Sequence, residues 1–126
     1  MIMTLDLTSD IPIYAQIKNA VIAGIASGEL HVGHTLPSVR QLASDVGVNM
    51  QTVNKAYALL RQEGYIEIHR RKGAVIAEGI GADAGSQKKM VRDLQIIARE
   101  AISRNMGRQE FIGMCEEAYT SSKGGV

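Results

Sequence analysis

The residues from Leu36 to Gly73, LPSVRQLASDVGVNMQTVNKAYALLRQEGYIEIHRRKG, leave the chain few choices of fold. Val39, Leu42, Ala43 and Val46 recur at the spacing of one helix face, and Val53, Ala56, Tyr57 and Leu60 repeat that spacing after a short break. Each helix therefore has one apolar stripe to bury. Ser38 followed by Gln41 is a capping box, in which the serine oxygen takes a first-turn N–H and the glutamine reaches back to the cap. Gly47 suits the left-handed conformation that ends a helix, and Asn49 is a good N-cap for the next one. Val48 and Val53 have the spacing of a hydrophobic staple, which fixes the angle at which the second helix leaves. Two short helices joined by the tight turn from Gly47 to Asn49 make a helix-turn-helix.

Once both stripes are buried, the second helix is left with a face of Met50, Gln51, Thr52, Asn54, Lys55 and Ala58. The face carries hydrogen-bonding groups and one cation, and no acid. Such a helix presents its N-terminal turns to the major groove, where the amides of Gln51 and Asn54 suit adenine edges and Thr52 suits a phosphate or a thymine methyl. A solvated polar face is the alternative. The next segment favours DNA: Tyr65 to Ile68 alternates at period two, Ala74 to Ala77 is a second apolar run, and His69-Arg70-Arg71-Lys72-Gly73 lies between them. A basic hairpin tip following a helix-turn-helix describes a wing that lies on phosphates or dips into the minor groove, although a basic tripeptide alone is commonly a solvated loop.

The ordered motifs G-E-L at 28–30, L-P-S-x-R at 36–40, L-A at 42–43, G-V at 47–48, T-V at 52–53, A-Y at 56–57, G-Y-I at 64–66 and K-G at 72–73 resemble the GntR family of bacterial transcription regulators. The resemblance covers roughly residues 10–78, and the short remainder is similar to the YtrA-type subfamily. It implies that Arg40 contacts DNA from the start of its helix. It also implies that Asn49, Gln51, Thr52 and Asn54 face the groove, and that Gly73 lets the wing approach the duplex. Many members carry a basic residue, or proline followed by asparagine, where this chain has Met50-Gln51. With Ser38 of the same motif, Lys55, Arg70, Arg71 and Lys72, these residues make up the candidate DNA-binding set.

The remainder of the chain is read around that unit. A helix over residues 12–27 carries Ile13, Ile17, Ala20, Val21, Gly24 and Ile25 on one face, with Pro12 at its start and Gly28 past its end. It packs behind the helix-turn-helix. His31 and His34 follow in a loop, at a spacing that does not suggest a metal site, and no metal or cofactor is expected. The run GIGADAG, from Gly79 to Gly85, has glycines but not the spacing or surroundings of a phosphate-binding fingerprint, and reads as a linker. Beyond it Met90, Leu94, Ile97, Ala98, Ala101 and Ile102 recur at helical spacing up to a stop at Gly107. Phe111, Met114, Cys115, Ala118 and Tyr119 recur again before a tail, SSKGGV, that is expected to fray.

Two such helices cannot bury both stripes alone. A two-fold dimer through Leu94, Ile97, Ala98, Ala101, Ile102, Phe111, Met114 and Tyr119 is the economical solution, and folding back on the winged unit is the rival. Cys115, the single cysteine, reads as a small core residue or else a redox sensor.

The net charge of +1 conceals a local excess: from Ser38 to Gly73 there are six Lys/Arg against three acids, Asp45, Glu63 and Glu67. Few phosphate contacts per subunit are expected from so modest a field. With no signal-like N-terminus and no apolar run long enough to span a bilayer, the cytoplasm is the expected location. No nucleophile with a base, metal set or cofactor loop is present, so an enzyme is not expected.

The expected architecture is mainly α with a small β-hairpin. It comprises a winged helix-turn-helix over 1–78, a linker over 79–86 and a helical dimerisation segment over 87–126. The expected function is a homodimeric, sequence-specific regulator of double-stranded DNA, most simply a repressor on an inverted-repeat operator. No effector ligand can be read from the residues. A winged-helix module that binds protein without reading DNA is the alternative.

Overall fold

The structure, a computed structural model, describes residues 3–81 and 83–124. The chain divides into two compact units, Met1–Ile80 and Gly81–Val126. The first unit holds α1 (Ile13–Ser27), α2 (Val39–Val46), α3 (Met50–Gln62), β1 (Ile66–His69) and β2 (Gly73–Ile76). The second holds α4 (Ala84–Ser103) and α5 (Arg108–Ser122). The architecture is mainly α-helical with a β-hairpin wing, followed by C-terminal helices.

The apolar stripes go where their period sends them. Ile17 and Val21 of α1, Leu42 and Ala43 of α2, and Val53, Ala56, Tyr57 and Leu60 of α3 meet in one core with Leu30, Leu36, Ile66 and Ile76. The closure of α1 on its own following loop is tight at Gly24, where a Cβ would stand 2.7 Å from Leu30 Cδ1. Residues ahead of α1 are clasped by one side chain: Gln16 accepts from the Asp6 amide at 2.8 Å and donates to the carbonyls of Asp6 and Ile11. Met3 and Leu5 thereby pack on the core.

The two strands pair antiparallel, with Ile66 opposite Ile76 and His69 opposite Gly73. Both strands sit one residue away from the expected runs: the ladder takes in His69 and Gly73, and beyond its other end the Ala77 N–H still donates to the Tyr65 carbonyl at 3.0 Å. An isolated β-bridge lies where only a loop was expected. Thr35 bridges Val75, Leu36 N–H donates to the Ala74 carbonyl and Ile76 N–H donates to the His34 carbonyl, so the stretch after His31 lines the free edge of β2.

In the second unit α4 begins inside the expected linker. Asp83 is its N-cap and accepts from the Ser86 amide at 2.7 Å, a bond that holds the Asp83 carboxyl below the ordinary carboxylate range. Ala82, in the same run, lies outside the described residues. Gly107 is not the stop of α4. The helix ends at Ser103, Asn105 takes a positive φ of 62°, and Gly107 is the N-cap residue of α5. Ser121 and Ser122, expected to fray, complete α5; Gly125 and Val126 lie outside the described residues. Cys115 is exposed rather than a core residue, since α5 has no buried residue at all. Among the described residues no helix is long and apolar enough to cross a membrane, and no cluster of His, Cys, Asp and Glu is placed to hold a metal ion.

Candidate nucleic-acid interface

The start of α2 is set by Ser38, whose Oγ accepts from the Gln41 amide at 3.0 Å. Only half of the expected capping box forms. The Gln41 side chain turns the other way and donates to Asp45 Oδ1 at 2.6 Å, one helical turn on, where a carboxylate is a better acceptor than the return path offers. The cap is also tied from across the motif, because the Tyr57 hydroxyl of α3 donates to the Pro37 carbonyl at 2.7 Å. Burial of that phenol pushes its pKa up to about 12. Arg40, in the first turn of α2, is exposed.

The turn is as short as its residues require. Gly47, at φ 73°, ends α2 with its N–H on the Ala43 carbonyl, and Val48 N–H shares that acceptor. Asn49 then caps α3, its Oδ1 accepting from the Gln51 amide at 2.7 Å. With that oxygen engaged, the Asn49 amide nitrogen is what it can offer an outside partner.

The 13 residues of α3 span about 20 Å at a rise of ~1.5 Å per residue. Gln51, Asn54, Lys55 and Ala58 are exposed on one side, and Thr52 is half-buried at its margin. Among the described residues the side chains of Gln51 and Asn54 make no hydrogen bond within the chain. Lys55 does have a partner: its ammonium lies over the Tyr14 ring of α1, 3.9 Å from the centroid. Met50, at the first position of α3, is 44% exposed, a large apolar side chain on an otherwise polar surface.

The wing presents Arg70, Arg71 and Lys72 as the turn of the hairpin, all exposed. Gly73 has φ 75° with open space where a Cβ would stand. Its requirement is conformational, a left-handed residue closing a three-residue hairpin turn.

The electrostatics sharpen the count made from sequence. Asp45 is bound to Gln41, Glu63 pairs with Lys18 of α1 at 2.5 Å, and Glu67 lies 3.1 Å from His69 Nε2. Among the described residues Arg40, Arg70, Arg71 and Lys72 are in no ion pair, so the three acids are engaged while these four cations are not. Sequence reasoning missed the Tyr14–Lys55 contact and the bridge at Thr35. Neither has a local signal: the first joins residues 41 positions apart, and the second is a single bridge with no period.

Two helices set by a tight turn, an amide-bearing second helix and a basic wing define a winged helix-turn-helix transcriptional regulator that binds DNA in a sequence-specific way. Residues 13–76 match the family described as bacterial regulatory proteins, gntR family. The chain belongs to the GntR family, whose members are DNA-binding regulators rather than enzymes, and it closely matches the YtrA-type subfamily. It is 42% identical over 74 residues to the HTH-type transcriptional repressor YtrA of Bacillus subtilis, covering 59% of this chain and 57% of that protein. A solved structure of a transcriptional antiterminator from Listeria monocytogenes superposes with a TM-score of 0.92 at 26% identity, covering 99% of this chain and 95% of the other. YtrA from Sulfolobus acidocaldarius, a GntR-family transcription factor, is 41% identical with a TM-score of 0.66, covering 82% of this chain and 99% of that one.

Proposed function

We propose that the chain acts as a homodimeric repressor, binding an inverted-repeat operator in the cytoplasm with one α3 in each of two successive major grooves. The observation that carries this is the surface of α3. Gln51 and Asn54 stand exposed with no partner within the chain among the described residues, beside four cations in no ion pair. Polar groups left free in this way are matched by base edges and phosphates. Gln51 and Asn54 are assigned to adenines, and Thr52 and the Asn49 amide to the groove margin. Ser38, Arg40, Lys55, Arg70, Arg71, Lys72 and the Gly73 backbone are assigned to the sugar-phosphate strands.

The second unit supports the dimer. Ala101 is its one buried residue among those described, while Leu94 is 52%, Ile97 50%, Ile102 72% and Tyr119 70% exposed; Met114 is exposed too. Ala98 and Phe111 are half-buried. Apolar surface on this scale is covered most simply by the same surface of a second copy. Domain boundaries near residue 80, with the DNA-binding unit before and the dimerisation helices after, follow from the same assignment. Repression is preferred because the Bacillus subtilis relative is named a transcriptional repressor, although the Listeria monocytogenes neighbour is named an antiterminator.

The test is selection of binding sites from a random duplex library, followed by fluorescence anisotropy on the selected site and a scrambled duplex. A two-fold symmetric site bound at least ~10³-fold more tightly than the scrambled duplex is expected. Sites without a dyad argue against the dimer. Transcription from a promoter carrying the selected site should fall when the protein is added, and a rise would reverse the assigned direction.

A further inference from the structure

The Tyr14–Lys55 contact decides what kind of DNA contact Lys55 makes. Along α3, Lys55 lies one turn after Gln51 and one turn before Leu59, on the row where the exposed face gives way to half-buried Thr52 and Leu59. Its four-carbon stem is drawn from the centre of that face toward α1, where the ammonium rests 3.9 Å from the centroid of the half-buried Tyr14 ring. A cation at the flank of a helix lying in the major groove meets the phosphate wall, whereas residues at the centre meet base edges. The ring covers one side of the ammonium and leaves its remaining N–H donors free, since a ring face attracts the charge without accepting its hydrogen bonds in line.

We propose that Tyr14 is a positioning residue that holds the Lys55 ammonium toward the groove wall, making Lys55 a phosphate contact and not a reader of bases. Lys55 then adds affinity for any duplex, and sequence choice is left to Gln51 and Asn54. The ring does the positioning; the Tyr14 hydroxyl has no part in it. The proposal rests on DNA binding through α3, and the experiment separates the two.

Binding to the selected operator and to a scrambled duplex is measured across a salt series for the wild-type chain, Lys55→Ala, Tyr14→Phe, Tyr14→Leu and the Tyr14→Leu/Lys55→Ala double variant. Lys55→Ala is expected to weaken both duplexes by the same factor, roughly five- to tenfold, and to reduce the salt slope by about 0.9. Tyr14→Phe keeps the ring and stays within about twofold of wild type, whereas Tyr14→Leu loses roughly threefold. In the Lys55→Ala background Tyr14→Leu costs nothing further, a result that loss of packing alone does not produce.

Three results overturn the proposal. Lys55→Ala weakens only the operator and shifts the preferred base at one position; Tyr14→Phe falls as far as Tyr14→Leu; or Tyr14→Leu costs as much without Lys55 as with it. A wild-type chain with no preferred sequence overturns sequence-specific binding itself, and this proposal with it.

Discussion

Tyr57 shows how one side chain links stability to the geometry of the site. Its ring is 5% exposed in the core, and its hydroxyl reaches Pro37 just ahead of the α2 cap. Desolvation raises the folded pKa to about 12 from the ordinary 10.0, so the native state binds the phenolic proton more tightly than the unfolded chain does. The stabilisation is fully present below pH 10 and is lost as pH rises toward 12. Denaturant midpoints should therefore drop between pH 9 and pH 11 more in wild type than in Tyr57→Phe. At neutral pH the Phe variant itself should be less stable by about 1 kcal/mol, the worth of the missing hydrogen bond. Ser38→Ala tests the neighbouring cap. A loss of about 1 kcal/mol in urea unfolding is expected from the missing acceptor, and an operator affinity that falls after stability is accounted for would place the hydroxyl on a phosphate as well.

At the scale of elements, what could be read beforehand was what is local. All four stripe residues of α3 are buried, and Leu42 and Ala43 of α2 with them, because a 3.6-residue period places apolar groups on one face whatever lies beyond. The caps at Ser38 and Asn49 were legible for the same reason. The start of α4 was not: the cap at Asp83 lies in a glycine-rich run with no apolar period to announce a helix. Gly107 was misplaced because glycine serves either end of a helix, and Asn105 had already supplied the left-handed residue that ends α4.

The candidate site divides in the same way. The exposed amides followed from the period, whereas the partner of Lys55 and the turn of Gln41 toward Asp45 depend on distances that no spacing rule carries. The wing adds its own expectation. Replacing Arg70, Arg71 and Lys72 with alanine should weaken operator and scrambled duplex alike, lowering the salt slope by about 0.9 for each phosphate that is no longer neutralised. Gly73→Ala should leave the charges in place and still cost about 1 kcal/mol of stability in a denaturant titration, since φ 75° is strained for any side chain.

For the whole molecule, the uneven division of the core is decisive. The first unit carries the packed cluster that joins α1, α2, α3 and the hairpin, and the second has Ala101. Leu94→Asp is accordingly expected to convert a dimer to a monomer in light scattering. Operator affinity should fall at least ~100-fold, since a single half-site remains to be read. An unchanged mass would remove Leu94 from the interface.

That division also has a consequence for how such a regulator responds inside a cell. Under the proposed dimer, the second unit gains its core from another copy and has no fixed stability of its own, because its folding is tied to protomer concentration by mass action. At low abundance the dimer population grows with the square of the protomer concentration. For such a dimer, occupancy of an operator would rise more steeply than for a monomeric binder, and a few-fold change in synthesis or turnover would be enough to switch a promoter.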